Sequence, residues 1–592
     1  MPEITMNGEK LVLESPVTIL DAARQAGIRI PTLCFLEGKP PLGACRVCVV
    51  EVEGAPQLAA ACSTPVRDGM VIHTNSARVR KGRRSVVELL LSEHEGNCSW
   101  CERSEDCELK ALAYELGIRE EPSGGEKSEP VLDDSTPALI RDSGKCIKCR
   151  RCITACHSVQ NVGALFPQGR GFSTVIAPAF SRGLDTVACV QCGQCAAVCP
   201  VGAIIEKSHI TAVQAALDDP EQHVIVQTAP AIRAALGEAF DLPPGTLVTG
   251  QMVTALKRMG FDGVFDTNFT ADLTIIEEGT ELLHRLRTVL KDGGTAALPQ
   301  FTSCSPGWIK FAEYFYPEFL PNISSCKSPQ QMFGALAKTY YASRIGVDPG
   351  KMTVVSVMPC TAKKFEARRD EMSDSGYQDV DYVLTTRELG RMIRQTGLDF
   401  VNLPESEMDV PLGISSGAAD IFANTGGVME AALRTVHEIV TGKTLPADNL
   451  HIHPLTTLEG IKSVSLTLED TLPEWDFLQG VEVRLAVAHG LGNASKLLDA
   501  LRAGTESFHF VEIMTCPGGC IGGGGQPRLT TDEIRKARIE AIFREDEGKP
   551  IRKSHENPAI SALYRDFLGE PLGEKSHHLL HTGYTPREKV RS

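Results

Sequence analysis

Two cysteine runs repeat one spacing, Cys146-x2-Cys149-x2-Cys152-x3-Cys156 and then Cys189-x2-Cys192-x2-Cys195-x3-Cys199, with Pro200 closing the second. Thiolates are soft ligands for iron, and this is the spacing of bacterial two-cluster ferredoxins, where the fourth cysteine of each run serves the other cluster. One 4Fe-4S cluster is therefore expected on Cys146, Cys149, Cys152 and Cys199, and another on Cys189, Cys192, Cys195 and Cys156. Upstream, His94-x3-Cys98-x2-Cys101-x5-Cys107 offers one imidazole and three thiolates, a four-ligand set for a further 4Fe-4S cluster. Replacing a thiolate by a neutral imidazole raises a cluster's potential. Nearer the N-terminus, Cys34, Cys45, Cys48 and Cys62 present four thiolates. Their wide first gap suits a 2Fe-2S cluster better than a zinc ribbon.

Three more motifs carry cysteine: FTSCSPGW from Phe301 to Trp308, VMPCTAKKFEA around Cys360, and MTCPGGCIGGGGQP with Cys516 and Cys520. Cys360 ends a strand-like run, Cys516 and Cys520 follow FHFVEIM, and Cys304 follows AALPQFT. Parallel α/β sheets bind ligands at the carboxyl ends of their strands, so three strand ends could converge on one site.

Composition supports metal over disulfides. The chain has 20 cysteines, mostly in close clusters, and MPEITMNGEKLVLESPVTIL has no basic region followed by an apolar run. A net charge of −15 argues against nucleic-acid binding. No apolar stretch of about 20 residues occurs, so a cytoplasmic protein with no membrane span is expected.

The elements that must hold these ligands make a multidomain α+β and α/β chain. Residues 1–78 alternate apolar and polar positions around the helix-like DAARQAG, which predicts a β-grasp-like 2Fe-2S domain. Residues 79–118 read as a small helical domain for the His/Cys-ligated cluster, 119–135 as a polar linker, and 136–206 as the two-cluster ferredoxin domain. From 207 to 545, strands alternate with amphipathic helices (HVIVQTAP with AIRAALGEAF, VRLAVAHG with NASKLLDALRAG), which predicts a large α/β domain with parallel strands. Residues 546–592 read as a polar, partly helical segment wrapped on the surface. The turn AHGLGNASK lacks the third glycine of a dinucleotide fingerprint, and Gly522–Gly525 has no following P-loop lysine. The glycine run instead lets backbone approach a cluster closely.

TSCSPGW, MPCTAKKFEA and TCPGGCIGGGGQP, preceded by the ferredoxin repeat, the one-histidine motif and the N-terminal 2Fe-2S motif, resemble the iron-only (FeFe) hydrogenases. The likeness is to catalytic subunits of multimeric, NAD(P)-linked cytoplasmic enzymes of anaerobic metabolism. The resemblance implies an H-cluster: a 4Fe-4S cubane joined through a cysteine to a two-iron unit bearing CO, cyanide and a bridging azadithiolate, which splits hydrogen heterolytically. On this sequence Cys360, Cys516 and Cys520 would hold the cubane, Cys520 also bridging to the two-iron unit. Lys363 would hydrogen-bond a cyanide, and Met358 and Met514 would pack against the diiron unit. The implied proton relay runs through Cys304, Glu278, Ser324, Glu281 and Arg285. Three accessory 4Fe-4S clusters and one 2Fe-2S cluster would pass electrons to or from a flavin/NAD(P)-binding, iron-sulfur partner subunit or a ferredoxin. A hydrogen sensor, or an electron-transfer subunit without high turnover, is the alternative.

The first motif departs from the family pattern, which has two adjacent cysteines, the first for the relay and the second as the cubane's fourth ligand. Here the second position is Ser305. Either Ser305 ligates through oxygen, or Cys304 turns inward and ligates; soft iron-sulfur sites favour the thiolate. Cys326 stands outside every cluster motif, as an ordinary buried residue or as compensation for the missing ligand.

Overall fold

The computed structural model describes residues 1–14, 17–120, 126–455 and 457–590. Near the N-terminus, a five-stranded sheet runs in the order Glu9–Val12, Glu3–Met6, Val71–His73, Val49–Val52, Ala59–Ala60, with Thr5 parallel to Val71 at its centre. The helix Ile19–Gln25 covers it. Its start is fixed by a reciprocal cap in which the Thr18 hydroxyl accepts from the Asp21 N–H and the Asp21 carboxylate accepts from the Thr18 N–H. Apolar side chains Ile4, Leu20, Val50 and Ile72 fill the space between helix and sheet.

The helices Ala77–Glu93 and Glu108–Glu115 follow, flanking the loop that carries Cys98 and Cys101. Residues 121–125 of the expected linker lie outside the described residues. The end of that stretch is structured: Leu132–Asp133 pairs antiparallel with Leu139–Asp142, which in turn pairs with Ile204–Glu206. Polar composition concealed this strand, because only two residues pair.

The rest of the chain is built on two four-stranded sheets. The first, Gly263–Asp266, His223–Thr228, Met352–Met358 and Tyr382–Thr385, is parallel throughout. In the second, Gln300–Phe301, Phe510–Met514 and Glu482–His489 are parallel, whereas Ile461–Thr467 is an antiparallel edge. Met352–Met358 is buried along its whole length, as a strand covered on both faces must be. The long helix Thr267–Leu290 crosses between the layers, started by the Asp266 carboxylate accepting from the Asn268 N–H. Gly279 within it lets the helix Gly427–Thr441 come close, since a Cβ there would lie 3.1 Å from a Val436 methyl. No described helix is long and apolar enough to cross a membrane.

Candidate active site and its iron-sulfur approach

The two ferredoxin runs fold alike because each places the two loop positions on either side of its second cysteine in the left-handed region: Lys148 (φ 54°) and Arg150 (φ 67°) in the first, Gln191 (φ 57°) and Gly193 (φ 72°) in the second. Such turns curl the chain so that three closely spaced thiols point inward. Cys146, Cys149, Cys152 and Cys199 line one cavity, and Cys156, Cys189, Cys192 and Cys195 another. The fourth cysteine of each run thus faces the other run's three. Backbone N–H groups of Lys148 and Ala164 donate to the sulfurs of Cys146 (3.4 Å) and Cys156 (3.2 Å).

His94, Cys98, Cys101 and Cys107 line a third cavity. His94 Nδ1 lies 3.0 Å from the Lys145 carbonyl, to which only a protonated Nδ1 can donate, so Nε2 keeps its lone pair for a metal. Burial also pushes the imidazole pKa down, which keeps the ring neutral. Gly202 leaves room for the set, because a Cβ there would sit 2.6 Å from the Cys101 sulfur. These residues fit a 4Fe-4S cluster. His94→Ala is expected to lower bound iron by about one cluster, and His94→Cys to keep the cluster at a lower potential, both read by iron analysis and redox-poised EPR. In the N-terminal domain Cys34, Cys45, Cys48 and Cys62 are all buried, with the Cys34 thiol within bonding reach of Cys45 and Cys62 and Cys48 within reach of Cys62.

Cys360 stands two residues beyond Met358 at the end of one sheet's strand, and Cys516 two beyond Met514 at the end of the other's. Cys516 and Cys520 each feel the charge of Cys360, so the three thiols form one group between the sheets. Burial pushes the thiols up, Cys520 to about 12 and Cys516 further, so free they would stay protonated. Iron cations supply the positive charge that buried thiolates need, and their binding would release those protons. The donor set therefore fits an iron-sulfur cubane. Met358 and Met514 are both buried at 2 % exposure beside it.

The glycine run explains how this group meets the ferredoxin domain. A Cβ on Gly523 would lie 2.2 Å from the Pro359 carbonyl oxygen, and one on Gly524 2.1 Å from that of Cys192. Gln194 donates to the Gly522 carbonyl at 2.9 Å, and Thr361 to that of Gln191 at 2.7 Å. The second ferredoxin cavity and the Cys360/Cys516/Cys520 group thus share a wall. The AHGLGNASK turn also serves this contact: Gln160 accepts from the Leu491 N–H (3.0 Å), occupying the helix start that a dinucleotide would need.

Cys304 and Ser305 part company. Cys304 is half-buried, and the charges acting on its thiol are those of Glu278, Cys520, Lys363 and Glu512. Ser305 caps the helix Pro306–Phe315, and its hydroxyl lies 2.6 Å from that of Thr515 while accepting from the Thr515 N–H at 3.2 Å. Cys304 thus faces the glutamate side, and Ser305 the residue preceding Cys516. Cys304 also feels the charge of Cys520, so both residues adjoin the thiols expected to hold the cubane. Cys326, fully buried, lies beside His581 and among the charges of Glu277, Glu278 and Glu281.

Glu278 and Glu281 share one face of the helix Thr267–Leu290. The Ser324 hydroxyl donates to Glu281 (2.8 Å) and also faces Glu278. Arg285 closes the series, donating to Glu281 at 2.6 Å. Exposure rises along it, from 2 % at Glu278 to side-chain values of 13 % at Glu281 and 15 % at Arg285. Burial, reinforced by the nearby Glu281 charge, raises the Glu278 pKa to about 8. Because the unfolded chain surrenders this proton near the ordinary glutamate value, stability is lost as pH rises from there to about 8. Glu278→Gln removes that loss: relative to the parent, the variant is expected to gain a few kcal/mol (order of magnitude) at alkaline pH, measured by denaturant unfolding, while turnover falls about a hundredfold.

Lys363 donates to the Cys304 carbonyl (3.1 Å), Ser328 (2.7 Å) and Glu366 (2.8 Å), which hold its ammonium at the site's edge. Two groups escaped the sequence reading. Glu512 is a fully buried carboxyl with a pKa raised by burial to about 7, accepting from the N–H groups of Gly426 and Met429. Its signal was a lone charge inside the apolar run FHFVEIM. The second is His581, buried at 4 % in a segment expected to lie on the surface.

Residues 222–524 match the family described as iron only hydrogenase large subunit, C-terminal domain, and residues 532–587 the iron hydrogenase small subunit. The chain belongs to the iron-only hydrogenases. The hydrogenase's N-terminal part matches a 2Fe-2S iron-sulfur cluster binding domain (2–77), the NADH-ubiquinone oxidoreductase-G iron-sulfur binding region (83–122) and a 4Fe-4S dicluster domain (145–203). It is 51% identical to the NADP-reducing hydrogenase subunit HndD of Solidesulfovibrio fructosivorans, over 100% of both chains. Iron hydrogenase 1 of Clostridium pasteurianum is 40% identical over 99% of this chain and all of its own. A solved FeFe-hydrogenase from Chlamydomonas reinhardtii, 44% identical, superposes with a TM-score of 0.58 over 64% of this chain and 100% of that one.

Proposed function

We propose that this hydrogenase interconverts hydrogen with protons and electrons at an H-cluster held by Cys360, Cys516 and Cys520, with Cys520 bridging to the two-iron unit. The observation that carries the reading is the convergence of those three thiols at two strand ends, walled on one side by the second ferredoxin cavity and faced on the other by Cys304. When bound, the cluster supplies an open iron position and a bridging amine at which hydrogen is split heterolytically. Met358 and Met514 would keep water away from it, and Lys363, held by Ser328 and Glu366, would offer its ammonium to a cyanide. Cys304 takes the proton inward or outward and exchanges it with Glu278, whose raised pKa suits a carrier that must both accept and release near neutrality. Ser324, Glu281 and Arg285 carry it to the surface. Ser305, bonded to Thr515 beside Cys516, would offer the cubane an oxygen as its fourth ligand.

The two ferredoxin cysteine sets, His94/Cys98/Cys101/Cys107 and the four N-terminal cysteines would hold the clusters that pass electrons between this site and a flavin- and NAD(P)-binding partner subunit or a ferredoxin in the cytoplasm. The full-length likeness to a subunit named for NADP reduction supports that partner. Purified, matured chain is expected to evolve hydrogen from reduced methyl viologen and to lose this activity reversibly under carbon monoxide. Cluster-loaded chain with no turnover would overturn the reading.

A further inference from the structure

The C-terminal segment reaches the same glutamates. His581 Nδ1 lies 2.8 Å from the Ser325 hydroxyl, and that hydroxyl lies 3.4 Å from Glu281. On the other side of the ring, Nε2 lies 3.2 Å from Glu277, one residue before Glu278 on the long helix. Glu277 is held in turn by the Tyr564 hydroxyl (2.6 Å) and the Leu572 N–H (2.8 Å). The segment is tied down next to the ring, since Lys327 N–H donates to the Leu580 carbonyl and Thr582 N–H to that of Ser325, each at 2.7 Å. These bonds keep imidazole, hydroxyl and carboxylates in one register.

We propose that His581 is a proton-holding residue on a side branch of the relay, Glu281–Ser325–His581, with Glu277 as its counter-charge. This rests on the relay reading above. With Nε2–H donated to Glu277, Nδ1 is an acceptor and takes the Ser325 hydroxyl proton. A protonated Glu281 can then donate to the Ser325 oxygen as Ser325 donates to Nδ1, leaving Glu281 ionised, Ser325 unchanged and His581 as imidazolium against the Glu277 carboxylate. Return reverses both transfers. Each hydrogen molecule oxidised releases two protons, whereas Glu281 holds one at a time; the branch stores one while the other leaves past Arg285. A purely structural histidine needs no hydroxyl aimed at a second carboxylate.

The groups facing the ring are few. Glu277 and, through Ser325, Glu281 come from the long helix, and Cys326 lies 4.0 Å from Nδ1. His577 stacks on the ring at 4.8 Å, Tyr564 acts through Glu277, and the Tyr584 hydroxyl donates to the Cys326 carbonyl at 3.4 Å.

The test is the pH profile of hydrogen oxidation by matured holoenzyme carrying His581→Gln, which keeps an acceptor for Ser325 but holds no proton. Imidazoles as a class change charge between about pH 5 and 8. The variant is therefore expected to be about fivefold slower at the alkaline end and equal to the parent at the acid end. Ser325→Ala should give the same profile, and Ser325→Thr, which keeps the hydroxyl, should restore the parent's. Infrared difference spectra across a pH step should lose an imidazole band in His581→Gln. A loss of rate uniform in pH, an unchanged profile, or an imidazole band that survives would each overturn the branch. Were the relay reading itself wrong, Glu278→Gln would retain the parent's rate, an outcome separate from all of these.

Discussion

Replacing Cys304 by alanine is expected to cut hydrogen turnover by about two to four orders of magnitude while the cubane remains bound. The size follows from position. The Cys304 thiol lies within reach of the charges of both Glu278 and Cys520, so its removal takes away the thiol between them. Retention of the cluster follows from the other three thiols, since Cys516 feels the charges of Cys360 and Cys520, and Cys520 that of Cys360. Iron content and the EPR signal of the oxidised cubane are the measurements. Loss of the cubane signal in Cys304→Ala would assign the cysteine to the cluster and leave the relay to begin elsewhere. Ser305→Ala serves as the counterpart: it should disturb the cubane's EPR signature and leave the relay residues in place, since its hydroxyl is bonded to Thr515 beside Cys516.

Cys520→Ala is expected to abolish turnover altogether, with bound iron falling by the H-cluster's share and the accessory clusters keeping their signals. Cys520 sits in the glycine-rich loop whose backbone is pressed against Pro359 and Cys192, so the loop is shaped by those contacts rather than by the thiol. Its removal therefore leaves the fold and takes the bridge. An alanine variant that still evolved hydrogen would show that the two-iron unit is attached through another residue.

What the sequence made legible was local. The ferredoxin spacings, with their paired left-handed turns, place ligands within a few residues of one another, so Cys146 to Cys156 could be read almost without the fold. His94 was legible for the same reason, although the carbonyl that fixes its tautomer belongs to Lys145, 51 residues away. The helix TIIEEGTELLHRL put Glu278 and Glu281 on one face by period alone. Tertiary facts were not legible. The surroundings of Cys304 and Ser305 are set by Glu278, Cys520 and the Thr515 hydroxyl, which lie far from both in the chain. The last strand of the linker was hidden by its shortness, and the antiparallel edge Ile461–Thr467 by a pattern shared with parallel strands. His581 was read as surface because its neighbours are polar, and it is buried because the strand-like contact with residues 325–327 carries it under the long helix.

Infrared spectroscopy of the purified, matured protein tests the central claim most directly. Stretching bands of metal-bound carbon monoxide and cyanide are expected, shifting on reduction with hydrogen and absent from Cys520→Ala. A fully matured, iron-replete protein without those bands would contradict the account, whatever its accessory clusters show.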